Sequence, residues 1–277
     1  DLRRTDSGVM CLAHVAWTLW MLGYPEHALT RSQEACTLAQ QLSHAYSLGF
    51  ALHFAGTLNQ YRREVQPTQE QADAVMALAR EQGFVRWLAG GMVRQGWVLA
   101  QQGAVAQGIE QIQQGLSTWR TMGGALGLPH FLARLAEAYG KGGQAAAGLD
   151  VVAEALAMVH QHGQQYYEAE LHRLKGELLL QSGANASASE VCVPPSAIDN
   201  PHAAEAEACL QQALDIACRQ QARFFELRAV MSLSRLWQQQ GKREAARQRL
   251  AEIYDWFTEG FDTPDLQDAR ALLETLR

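Results

Sequence analysis

Glycine recurs along this chain with a step of forty residues, and that period limits the possible folds more than any other feature. Gly23, Gly103, Gly143 and Gly183 stand on the ladder, and Arg63 occupies the missing rung. Seven residues before each rung is a small side chain: Ala16, Gly56, Gly96, Ala136 and Gly176. A sixth unit is anchored on Gly241, with Ser234 seven residues earlier. Ala35, Val75, Gly115 and Ala155 follow the first four occupied rungs by twelve residues. Ala213 precedes Gly241 by 28, the spacing from Ala35 to Arg63, so the fifth unit carries 18 extra residues. Small residues at a fixed place in each unit let two helix backbones cross closely.

Each unit reads as two helices joined at its rung. LAHVAWTLWML precedes Gly23, and PEHALTRSQEACTLAQQL follows it. Pro25 suits a first helical turn, and glycine suits the left-handed residue just past a helix end. No run alternates apolar and polar residues with β-branched enrichment, so strands are not expected. Thr263–Pro264 opens a closing helix with a polar face, the cap that a stacked array needs. The expectation is an all-α, α-α superhelix of about six hairpins plus a C-terminal capping helix. It forms one domain over 1–277, with a loop or disordered insertion at 185–202 inside the fifth hairpin.

Composition narrows the function classes. The chain has 277 residues, 48% hydrophobic, with 23 Lys+Arg against 29 Asp+Glu. Nucleic-acid binding needs clustered positive charge, and a net charge of −6 argues against it. Five cysteines without a Cys-x-x-Cys pair read as buried free thiols of a cytoplasmic protein. GVMCLAHVAWTLWMLG after Arg3 and Arg4 has no cleavage site and is too short to span a bilayer, so it reads as a buried helix. The first residue is Asp, which reads as a cut through a longer protein.

Paired helices with small crossing residues resemble tetratricopeptide repeats, and the forty-residue unit resembles their MalT-like subgroup. The strings LGYPEHALTRSQEACTLAQQL, LAEAYGKGGQ, YYEAELHRLKGELLLQ, ACLQQALDIACRQQ and SLSRLWQQQGKREAARQRLAEIYDWFTEGFDTPDLQDARALLETL carry a finer likeness. They resemble the C-terminal region of large bacterial signalling proteins. There, a nucleotide-cyclase homology domain and a STAND-type ATPase module precede the repeats. The resemblance implies upstream modules on the same polypeptide. Arg63 and the 18-residue insertion depart from the pattern.

No catalytic motif emerges. Gly140–Lys141–Gly142 lacks the leading glycine and the Ser/Thr of a phosphate loop. There is no Gly-x-Ser-x-Gly and no His-Glu-x-x-His. His160 and His162, and the pairs Glu168/Glu170 and Glu205/Glu207, have spacings that diverge on a helix. Cys209 and Cys218 read as core. Catalytic, cofactor and metal sites are therefore expected to be absent.

What remains is a binding surface. The repeat resemblance implies that the first helix of each pair lines a concave groove. Its candidate residues are aromatic toward the N-terminus: Trp17, Trp20, His53, Tyr61 and Trp97. Toward the C-terminus they are charged: Glu137, Lys141, Arg173, Glu177, Arg228 and Arg235. A tryptophan stripe also suits a core, and mixed charges also suit internal ion pairs. Trp119, Trp237 and Trp256 fall on other faces and read as core.

The reading is a non-enzymatic module that binds a protein or peptide in the groove and signals to upstream domains. A small-molecule sensor and a homo-oligomerisation scaffold are the alternatives. Neither nucleic acid nor membrane is an expected partner.

Overall fold

The computed structural model describes residues 4–123, 126–189 and 201–277. Among them are thirteen α-helices, one short 3-10 turn at Gln165–Tyr167, and no strand. The chain packs as two compact units, Asp1–Arg134 and Leu135–Arg277. Each unit has its own buried interior.

The first unit contains three helical pairs. They are α1 (Ser7–Met21) with α2 (Pro25–Gln41), α3 (Ala45–Tyr61) with α4 (Val65–Gln82), and α5 (Val85–Gln101) with α6 (Val105–Thr121). The boundary falls within α7 (Leu128–Lys141). The second unit continues with α8 (Ala145–His162), α9 (Glu168–Ser189), α10 (Pro201–Gln220), α11 (Arg223–Gln239), α12 (Arg243–Tyr254) and α13 (Pro264–Thr275).

Consecutive helices pack because their small residues remove the β-carbons that would hold them apart. A Cβ on Gly96 would lie 2.6 Å from the Gly108 carbonyl oxygen, and one on Gly108 would lie 2.5 Å from that of Gly96. Gly148 of α8 meets the Ala136 carbonyl, and Gly176 of α9 meets Leu210 and the Ala206 carbonyl of α10. The Ser234 hydroxyl donates to the Ala246 carbonyl across α11 and α12. Each interior glycine costs about 1 kcal/mol of helix propensity, which close backbone contact offsets.

The turns recur every twenty residues. Gly23, Arg63, Gly103, Gly143 and Gly241 all have positive φ, and so do Ser43, Gly83, Gly123, Gly163 and Gln221 between hairpins. At Gly23 the Tyr24 N–H donates to the Leu19 carbonyl and the Gly23 N–H to the Trp20 carbonyl. The same pair of bonds recurs at Arg63, Gly103, Gly143, Gln221 and Gly241. This left-handed cap ties off the last carbonyls of the preceding helix.

Gly183 differs from its expected role. It lies within α9, which runs on to Ser189, so the fifth unit has no turn at that rung. Of the insertion expected at 185–202, residues 185–189 and 201–202 are helical, and the remainder lies outside the described residues. The register resumes 18 positions later, at Gln221 and Gly241.

Two expectations for single residues also change. Cys11 and Cys218 are exposed, whereas Cys209 is buried. Nine helical residues carry a side chain half a turn around the axis, so Cys209 and Cys218 face opposite ways. Trp237 and Trp256 are half-buried rather than core: Trp237 donates to Glu207 at 2.7 Å, and Arg223 lies over the Trp256 ring.

Candidate functional site

In the first unit, side chains from α1, α3, α5, α6 and the start of α7 converge. Trp17 stacks on Phe54 with ring centroids 4.0 Å apart, and its indole N–H donates to the Phe54 carbonyl. Tyr61 stacks on Trp20 at 4.9 Å and meets His130 edge-on at 5.2 Å. His53 lies parallel to Trp119, whose edge meets Phe131. Of the five aromatic positions expected in the groove, Trp17 is half-buried, while Trp20, His53, Tyr61 and Trp97 are buried. Those four fill an interior rather than line an open surface.

Also buried in this unit is Arg94, a lone charge inside the otherwise neutral α5 string WLAGGMV-R-QGWVLAQ. It is fully buried. Its guanidinium donates to the Gly90 carbonyl at 2.8 Å, the His53 carbonyl at 2.7 Å and the Thr57 hydroxyl at 3.0 Å. All three acceptors are neutral, and no described carboxylate comes within 4.0 Å of Arg94. Burial pulls its pKa down to about 9, so it keeps its charge at neutral pH.

The neighbours reinforce this electrostatic character. Burial, and then Arg94, His130 and Arg86, hold His53 well below the usual histidine range. Burial, and then Arg134 and Arg94, do the same for His130. His53 Nδ1 and both amide atoms of buried Gln60 have no hydrogen-bond partner among the described residues. Glycines make room for these groups. A Cβ on Gly56 would lie 3.0 Å from Arg94 Cδ, and one on Gly90 would lie 2.6 Å from His53 Nδ1.

The second unit contrasts with this. Arg173 grips Glu170 through two bonds of 2.8 and 2.9 Å and reaches Glu177 at 2.6 Å. Ser232 donates to Glu177. Arg228 pairs with Asp265 of α13 at 2.7 Å and approaches Glu170 at 3.6 Å. Burial alone would lower the Arg173 guanidinium, but Glu170 and Glu177 hold it well above its ordinary range. Arg173, Glu177 and Arg228 thus belong to an ion chain with Glu170 and Asp265, in which each buried guanidinium meets a carboxylate. Glu137 is half-buried, and Lys141 and Arg235 are exposed.

Sequence reasoning missed Arg94, His130, Arg134, Glu170 and Asp265. The signal for Arg94 was its isolation in an apolar, glycine-rich helix. No group of three or more metal-ligating side chains stands together among the described residues. No described helix is long and apolar enough to cross a membrane.

No protein-family model matches the chain. An uncharacterized protein of Rhizobium meliloti (strain 1021) is 25% identical over 178 residues, 64% of this chain; that match spans 17% of the relative's length. The fold resembles a Rap protein solved with competence and sporulation factor, with a TM-score of 0.64 and 12% identity over 98% of this chain and 70% of that one. NprR in complex with its cognate peptide NprX gives 0.63 and 12%, over 99% and 72%. A signal transduction ATPase with a tetratricopeptide repeat sensor from Pyrococcus horikoshii gives 0.54 and 11%, over 97% and 38%. The chain therefore has the α-α solenoid fold of tetratricopeptide-like proteins.

Proposed function

We propose that this chain is a non-enzymatic, peptide-binding sensor module of a larger cytoplasmic bacterial regulator. The observation that carries the reading is that one unit holds both a set of converging aromatic rings and a buried arginine whose acceptors are all neutral. Aromatic and arginine side chains are the usual anchors of peptide recognition. The fold is shared with a Rap protein and with NprR, both solved with a bound factor or peptide, which supports the same reading. The repeat resemblance and the likeness to a sensor of a signal transduction ATPase support placement beside output modules such as STAND-type or cyclase-like domains. In this reading Trp17 and Phe54 form the accessible aromatic edge, and the charged positions Glu137, Lys141, Arg173, Glu177, Arg228 and Arg235 play a lesser part.

A displayed random-peptide library tests this. Enriched peptides should bind the native protein in calorimetry and bind the Trp17→Ala protein at least tenfold more weakly. Trp17 is half-exposed, so this substitution should leave the fold intact. A library that enriches nothing, alongside a metabolite panel in which one compound binds, would transfer the reading to a small-molecule sensor.

A further inference from the structure

Arg94 presents an electrostatic problem that the free protein does not solve. A buried guanidinium normally faces a carboxylate, because desolvating an isolated charge costs several kcal/mol. Here its acceptors are two helix carbonyls and one hydroxyl. Those acceptors do not depend on it. The His53 carbonyl lies inside α3 and already accepts from the Thr57 hydroxyl at 3.0 Å, and the Gly90 carbonyl lies inside α5. The arginine is thus costly where it stands and adds little that the helices need.

The titratable groups that interact with it are His53, His130 and Tyr61; Arg86 acts in turn on His53, and Arg134 on His130. Both histidines are held neutral, so the positive charge held at the His53 carbonyl and Thr57 hydroxyl is that of Arg94 itself, and a monoanion would balance it. Two further polar side chains on α3 have unused capacity: Gln60, fully buried with neither amide atom bonded, and His53, with Nδ1 unbonded. Gln60 follows Thr57, an Arg94 partner, by three residues and so shares its face of α3. The glycines at 56 and 90 hold that face open to the Arg94 and His53 side chains.

We propose that Arg94 is the receptor for a carboxylate of the peptide ligand, its guanidinium forming the ion pair while Gln60 and His53 bond the adjoining peptide groups. The inference rests on the peptide-binding reading above and names the chemical group recognised. Arg94 is fully buried, so the carboxylate reaches it only when an overlying side chain swings aside. Binding is thereby coupled to a local rearrangement of the first unit.

The test compares the native protein with Arg94→Met, by thermal unfolding in sodium acetate, sodium phosphate or sodium chloride of equal ionic strength. The free Arg94→Met protein should melt a few degrees higher than the native one, because an unpaired buried charge has been removed. Acetate should raise the native midpoint over chloride and leave the Arg94→Met midpoint unmoved. An Arg94→Met protein that melts lower or fails to fold would show that the arginine is structural and overturn the proposal. So would a native midpoint indifferent to acetate, or an Arg94-dependent shift given by phosphate alone. Library peptides separate the two readings. Peptides that bind equally with free or amidated carboxyl groups, and equally to Arg94→Met, refute the carboxylate receptor and leave the peptide module standing. An acetate shift with no peptide enriched refutes the peptide module alone.

Discussion

Gly96 on α5 and Gly108 on α6 face each other so closely that a β-carbon on either would lie 2.5–2.6 Å from the other's carbonyl oxygen. Neither backbone atom can move aside without dragging its helix. Gly96→Ala should therefore cost about 1–3 kcal/mol, the usual penalty of overpacking, although alanine is the better helix former. Chemical denaturation reads this directly. A Gly96→Ala protein as stable as the native one would contradict the crossing geometry.

The left-handed caps make the opposite prediction elsewhere. Gln221 holds φ 55 and is exposed, a conformation that costs a residue with a β-carbon roughly 1–2 kcal/mol. Gln221→Gly relieves that cost and returns part of it through a freer unfolded chain. A net gain of about 0.5–1 kcal/mol is expected, seen as a higher denaturation midpoint with an unchanged slope.

Asp265 holds the last helix to the second unit through Arg228. Both side chains are buried, so removing the carboxylate leaves Arg228 with its longer, 3.6 Å approach to Glu170 in place of the 2.7 Å pair. Asp265→Asn should cost about 3 kcal/mol. Limited proteolysis should then release α13 before the rest of the unit is cut. The double variant Arg228→Met/Asp265→Leu should recover much of the loss, because an apolar pair replaces the ion pair without leaving a lone charge.

Acid should weaken the first unit. His53 and His130 both titrate below their unfolded value of about 6.5, through burial and through Arg94, with Arg134 and Arg86 adding to it. Below that pH the unfolded chain takes up protons that the folded chain refuses, so stability falls as pH drops. The slope approaches about 1.4 kcal/mol per pH unit for each histidine. Urea midpoints measured from pH 7.5 to 5 should fall, and His130→Gln should flatten part of the decline. A flat native profile would show that these rings take protons freely.

The repeat was legible because most rungs are glycine, the residue that adopts positive φ without strain. The joints between hairpins were harder to read because Ser43 and Gln221 take the same conformation there, alongside Gly83, Gly123 and Gly163. Gly183 misled for the converse reason: a glycine on the period sits inside a helix. The candidate site was less legible. Helical periodicity places Trp20, Tyr61 and Trp97 on the inner face of their helices, but it cannot say whether that face is open or filled. Filling depends on His130 and Phe131, which lie far along the chain and meet Tyr61 and Trp119 only in the folded unit. The partners of Arg228 were invisible for the same reason, since Asp265 is 37 residues away.

The caps that recur every twenty residues have a consequence for how such a chain lengthens. At these joints the last carbonyls are closed by backbone N–H groups of the rung residue and its successor, which any residue but proline supplies. A duplication or deletion with both breakpoints at such joints adds or removes whole hairpins and creates no frayed terminus. The 18 extra residues before Gln221 illustrate the tolerance: they shift the numbering, and the next two joints still fall twenty apart.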